Sequence, residues 1–308
     1  MSASTYPQPI SGLWVPCLTP FDGHGDVAPV RFAELGRSLL KNGASGLVPF
    51  GSTGEANSLS LGERERLLDE LLAQGIPAEQ VLPGTGSCAL PDAVRLTRRA
   101  VAAGCRGVLV LPPFYYKPAS EDGLFAFYSE LIERVGSERL RLYLYHIPHL
   151  SGVPITEPLI DRLRAAYPDA VAGVKDSTRD WENTRELLER FPDLTVVPGN
   201  GKLLLPSLAK GARGCIAAIG NLIPRALDAI CTGAAEPDAD TLQQHVTEFE
   251  DAVRSYSTIP AMKALLGDER NAWSPVRPPL QPLSPKRAAA LRTEVRKLDL
   301  DAPPMSAS

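Results

Sequence analysis

The chain has 308 residues, 44% of them hydrophobic and 22% charged, with a formal net charge of −4. That length supports one large domain or two smaller ones around a substantial core. The mildly acidic balance lacks the basic footprint of a nucleic-acid binder, and no stretch approaches the ~18 consecutive apolar residues of a membrane span.

In chain order, short apolar runs alternate with longer amphipathic stretches. The runs predict strands at residues 13–17, 46–49, 80–83, 107–111, 141–145, 170–174, 195–197 and 214–218. Helices are predicted between them, among others at 29–42, 61–74 and 92–103. In the last of these, Ala93, Leu96, Ala100 and Ala103 recur at helical spacing, and Gly104 supplies a C-terminal stop. Eight strand signals separated by helix signals imply parallel βαβ units and a (β/α)8 barrel. Beyond about residue 234 the pattern changes to helices at 238–256 and 286–298, joined by a proline-rich stretch at 275–285. The expected organisation is a barrel over 10–233, a C-terminal helical domain over 234–301, and disordered tails at 1–9 and 302–308.

Cys17, Cys88, Cys105, Cys215 and Cys231 are scattered, odd in number and free of any CxxC spacing. They read as reduced, mostly packed thiols of an intracellular protein. Met1 to Pro9 carries neither the basic nor the apolar region of a secretory signal, so the expected compartment is the cytoplasm. His146 and His149 read as packing or rim residues, because no His, Asp and Glu cluster has zinc-like spacing. No metal or organic cofactor is expected.

Four segments follow predicted strands, where a barrel presents its chemistry. Gly51-Ser52-Thr53-Gly54-Glu55 offers hydroxyls and N–H groups that can cradle a carboxylate, or it is an ordinary βα turn whose hydroxyl caps the next helix. The loop Pro112-Pro113-Phe114-Tyr115-Tyr116-Lys117-Pro118 either projects a phenol or packs as an aromatic cluster or subunit contact. Tyr145, ending the fifth strand, is a packed tyrosine or a proton shuttle held in a hydrogen-bonded chain. Lys175, after the apolar run 170–174, is a solvated surface amine or a desolvated nucleophile fit for a Schiff base with a keto acid.

GSTGE, the Pro-Phe-Tyr-Tyr loop, Tyr145-x-Ile-Pro and Gly173-Val-Lys-Asp occur in the order seen in one family. The chain resembles the pyruvate-dependent class I aldolases and lyases of the dihydrodipicolinate synthase and N-acetylneuraminate lyase family. The resemblance extends to the closing segment Arg277-Pro-Pro-Leu-Gln-Pro-Leu-Ser284. It implies a (β/α)8 barrel with a small helical C-terminal domain, and a homotetramer built as a dimer of dimers. It further implies that Lys175 forms the imine with pyruvate, that Tyr145 shuttles protons, and that Ser52 and Thr53 hold the pyruvate carboxylate. Tyr115 is implied to reach a neighbouring subunit's site, with Tyr116 the adjacent alternative. Gly51, Asn200, Lys202 and Ile219 complete the expected substrate-binding positions.

The departures narrow the substrate. Leu150 stands where the synthase branch carries a carboxylate-binding arginine, and leucine cannot make that contact. The loop Gly199-Asn200-Gly201-Lys202 lacks the acidic pair of the sialic-acid enzymes, and with Arg179 it suits a shorter or more acidic substrate. The expected activity is an aldolase of a 2-keto-3-deoxy sugar acid or a 4-hydroxy-2-oxo acid. The alternatives are a Schiff-base dehydratase or deaminase, dihydrodipicolinate synthase itself, or a catalytically silent keto-acid-binding paralogue.

Overall fold

The computed structural model describes residues 8–234, 238–267, 273, 275–298 and 300. Of the tails expected at 1–9 and 302–308, residues 1–7 and 302–308 lie outside the described residues, as does part of the expected C-terminal domain. Seven strands occur among the described residues: β1 (Gly12–Val15), β2 (Gly46–Leu47), β3 (Val108–Val110), β4 (Leu142–His146), β5 (Val171–Asp176), β6 (Thr195–Pro198) and β7 (Gly214–Ile216). Every pairing is parallel, in the orders β2-β1-β7 and β3-β4-β5-β6.

The stave expected at 80–83 links the two groups. Val81 bridges Leu47 and Gly84 bridges Leu109, and the Leu82 and Leu109 N–H groups donate to the Leu47 and Pro83 carbonyls at 2.8 and 3.0 Å. Pro83 has no N–H to give, so pairing there reduces to single bridges rather than a regular strand. With β6 beside β7, the eight staves form the (β/α)8 barrel that the alternation predicts.

The barrel interior holds Trp14, Val48, Leu82, Leu109, Tyr143, Tyr145, Val197 and Ile216, from every stave but β5, whose inward positions are Gly173 and Lys175. A second, larger apolar layer joins the barrel to its helices and includes Leu13, Val15, Val108, Leu144, Val174 and Val196. The helix Leu90–Ala102 buries Ala93, Leu96 and Ala100, the stripe read from its spacing. The helix Leu61–Ala73 begins with a capping box, in which Ser60 accepts from the Glu63 N–H and Glu63 accepts from the Ser60 N–H.

The C-terminal part contains three helices among the described residues: Ala239–Ser255, Thr258–Leu266 and Pro285–Val295. The middle one corrects the sequence reading, which passes over it. It buries Pro260, Ala261, Met262, Lys263, Ala264 and Leu266, so it shows no polar face from which a helical period could be read. No helix among the described residues is long and apolar enough to cross a membrane.

Candidate active site

Register sets the centre of the site. β4 and β5 pair with Tyr145 opposite Lys175 and Tyr143 opposite Gly173, so all four positions share the inward face. Lys175 is 3% exposed and its Nζ lies 4.3 Å from the centroid of the Tyr145 ring. Gly173 is required one layer below. A Cβ there would lie 2.4 Å from the Thr195 carbonyl oxygen and 2.6 Å from the Tyr143 ring.

The turn after β2 closes in from the side. Ala56 N–H donates to the Gly51 carbonyl and Glu55 N–H to the Ser52 carbonyl, curling the segment so that Ser52 and Thr53 face the cavity. The Tyr145 hydroxyl donates to Ser52 Oγ at 3.5 Å. On the opposite side, Asn221 ties two loops together: its Nδ2 donates to the Pro16 carbonyl at 2.9 Å and its Oδ1 accepts from Leu18 N–H at 3.2 Å. Ile219 precedes it in the short turn after β7.

Lys175, Tyr145, Ser52, Thr53 and Ile219 are among the residues lining a cavity of about 420 Å³, within the size range of small-molecule sites. Of the positions expected to bind substrate, Ser52, Thr53, Tyr145, Lys175, Asn200 and Ile219 line it, together with His149, Leu150 and Arg179. Gly51, Lys202 and Tyr115 do not. Gly51 is buried as backbone of the turn, and Lys202 Nζ turns away to Asp251 at 2.7 Å. Tyr115 and Tyr116 stand 75% and 86% exposed, stacked edge to face on each other. His146 is buried beside Asp176; loss of solvent pushes its pKa down, and the Asp176 charge opposes that.

Three features escape the sequence reading. Glu55 adopts a left-handed φ of 54° and its carboxylate meets Lys263 Nζ at 2.5 Å, both side chains fully buried. Arg277 N–H donates to the same carboxylate at 3.0 Å. Burial brings the Lys263 pKa down to about 8, against the pull of Glu55. The available signal is a lone charge inside the apolar run Ile259-Pro-Ala-Met-Lys-Ala-Leu-Leu266, since a lysine is seldom fully buried without a partner. Glu250 and Arg254, on the helix Ala239–Ser255, also line the cavity, and nothing local in the sequence marks them as site residues.

A parallel barrel with a buried amine, a phenol and a hydroxyl-bearing turn converging at the carboxyl ends of its strands defines a barrel enzyme able to attack a carbonyl carbon and relay a proton beside it. The sequence pattern of the dihydrodipicolinate synthetase family matches residues 9–298, and the chain belongs to that family of lyases. It is 35% identical over 291 residues to an uncharacterized DapA-like lyase of Chloroflexus aurantiacus, covering 91% of this chain and 94% of that one. It is 33% identical over 292 residues to the 4-hydroxy-tetrahydrodipicolinate synthase of Thermus thermophilus, covering 92% and 95%. Among solved structures, dihydrodipicolinate synthase from Agrobacterium tumefaciens superposes with a TM-score of 0.88 at 29% identity, covering 94% of this chain and all of that one. YagE of E. coli K12, solved in complex with pyruvate, superposes with a TM-score of 0.84 at 27% identity, covering 94% and 99%.

Proposed function

We propose that this lyase forms a Schiff base with a 2-oxo acid and makes or breaks a carbon–carbon bond, with pyruvate as the common piece. The observation that carries this reading is the buried Lys175 amine against the face of Tyr145, whose hydroxyl reaches Ser52. Lys175 Nζ attacks the keto carbon, and loss of water leaves a protonated imine that serves as the electron sink. Tyr145 takes the proton from the substrate's 4-hydroxyl, the C3–C4 bond breaks, and an aldehyde leaves. The resulting enamine takes a proton at C3, and hydrolysis frees pyruvate and the amine. Ser52 and Thr53 hold the carboxylate throughout. The substrate class is a 2-keto-3-deoxy sugar acid or a 4-hydroxy-2-oxo acid.

Residues 10–233 form the proposed catalytic barrel and 234–301 a helical domain packed on it. The exposed Tyr115–Tyr116 pair is the proposed contact with a neighbouring copy in a homotetramer, since two large aromatics side by side in water favour a partner surface.

Intact mass after incubation with pyruvate and borohydride, followed by peptide mapping, tests the chemistry. One reduced pyruvate adduct on Lys175 is the expected result, absent in Lys175→Ala. Adduct on another residue, or turnover retained by Lys175→Ala, refutes the mechanism.

A further inference from the structure

The rim of the cavity carries charge that imine chemistry does not use. Arg179 and Arg254 both line it, and among the described residues neither guanidinium forms a salt bridge or a hydrogen bond. Several other arginines of this chain do find carboxylates, as Arg95 does with Glu65, Arg99 with Asp69 and Arg190 with Asp161. Arg179 comes from the loop after β5, four residues beyond Lys175, and holds a left-handed φ of 69° without being glycine. Strained backbone of this kind persists where surrounding structure enforces it, commonly at binding sites. Arg254 comes from the C-terminal helix Ala239–Ser255. The two charges repel: the Arg179 pKa is pushed down first by loss of solvent, next by Arg254.

The one carboxylate lining the same cavity among the described residues is already engaged. Glu250 Oε2 accepts from the Gly201 and Lys202 N–H groups at 2.8 and 3.2 Å. Asn200 adds an independent sign. It is 3% exposed, its Oδ1 accepts from Leu203 N–H at 3.0 Å, and that bond fixes the amide so that Nδ2 is the free end. Among the described residues Nδ2 is buried without a partner, in a residue that lines the cavity. A buried donor left unpaired costs stability, so such a group marks a place where a bound molecule supplies the acceptor.

We propose that the pocket takes a 2-oxo acid carrying a second, distal carboxylate, gripped by Arg179 and Arg254 while Asn200 Nδ2 donates to an oxygen between the two ends. This rests on the imine reading, which fixes the keto end at Lys175. Two guanidiniums offset in part by Glu250 suit a singly charged carboxylate better than a doubly charged phosphate. A planar carboxylate also matches the guanidinium fork. It replaces the anchoring arginine that Leu150 cannot supply, from a different loop and a different helix.

Borohydride trapping tests this with 2-oxoglutarate and 2-oxopentanoate, which share a five-carbon chain and differ in the distal carboxylate. Pyruvate trapping is run in parallel. The diacid is expected to half-saturate trapping at a concentration at least about tenfold lower than the monoacid, and the ratio to fall near unity in Arg179→Met/Arg254→Met. Equal half-saturation in the wild type, or a preference that survives in the double variant, overturns the distal-carboxylate inference alone when pyruvate still labels Lys175. Absence of any Lys175 adduct with all three acids is the separate signature of failure of the imine reading, and it removes this inference with it.

Discussion

Tyr145 sits between the Lys175 amine and the turn that carries Ser52 and Thr53, and that placement separates two roles a tyrosine can play. A phenol that only packs against Lys175 is replaced by phenylalanine at small cost, because ring and volume are kept. A phenol that relays protons loses its hydroxyl, and general acid–base contributions run to about 10²–10⁴-fold. Tyr145→Phe is expected to lower turnover within that range while pyruvate and borohydride still label Lys175. Turnover near the wild-type rate in a steady-state assay removes the hydroxyl from the proton path. Gly173 shows the same economy from the packing side, since the space a Cβ would occupy is filled by Tyr143 and the Thr195 carbonyl.

At the scale of elements, the C-terminal helices brace the turn that carries Ser52 and Thr53. The Lys263–Glu55 pair is fully buried, and removing one partner of such a pair leaves an uncompensated charge costing about 3–5 kcal/mol. Lys263→Met is therefore expected to lower unfolding stability in urea by about that amount. Lys263→Met/Glu55→Leu, which removes both charges, is expected to recover most of it; a single variant as stable as the wild type sinks the argument. A second brace joins Arg277 to Glu63, with the guanidinium at 2.5 and 3.0 Å from the carboxylate. That hydrogen bond, opposed by burial, lowers the Glu63 pKa from 4.5 to about 2. Because the folded value lies below the unfolded one, the contribution is full above pH 4.5 and fades as pH falls towards about 2. Melting temperatures across that interval are expected to show Glu63→Gln destabilised at neutral pH and converging on the wild type in acid. A constant gap at every pH assigns Glu63 to packing alone.

For the whole molecule, the exposed aromatic loop bears on assembly. Tyr115→Ala/Tyr116→Ala is expected to shift sedimentation towards smaller species if these rings meet another copy. An unchanged distribution places the pair outside any subunit contact. Neither ring lines the cavity, so a change in activity in this variant would have to travel through assembly.

Much of this molecule is local and therefore legible in the sequence. Apolar runs of strand length and the stripe Ala93, Leu96 and Ala100 depend on neighbours a few residues apart, and they placed the barrel and its helices. The order of GSTGE, Tyr145 and Gly173-Val-Lys175 pointed to the family, and strand ends brought Ser52, Thr53, Tyr145 and Lys175 to one cavity. The helix Thr258–Leu266 was not legible, because burial on all sides erases the amphipathic period. Lys202 was placed in the pocket by its position after the strand expected at 195–197, but only the fold could show that Asp251, 49 residues later, takes its amine. Glu250 and Arg254 reach the cavity from a helix with no motif, and Asn200 acquires its unpaired donor from burial. Spacing along the chain determined which elements form and which motifs end the strands. Tertiary structure alone decided which charges meet and which stay unpaired, because those depend on contacts between residues far apart in sequence.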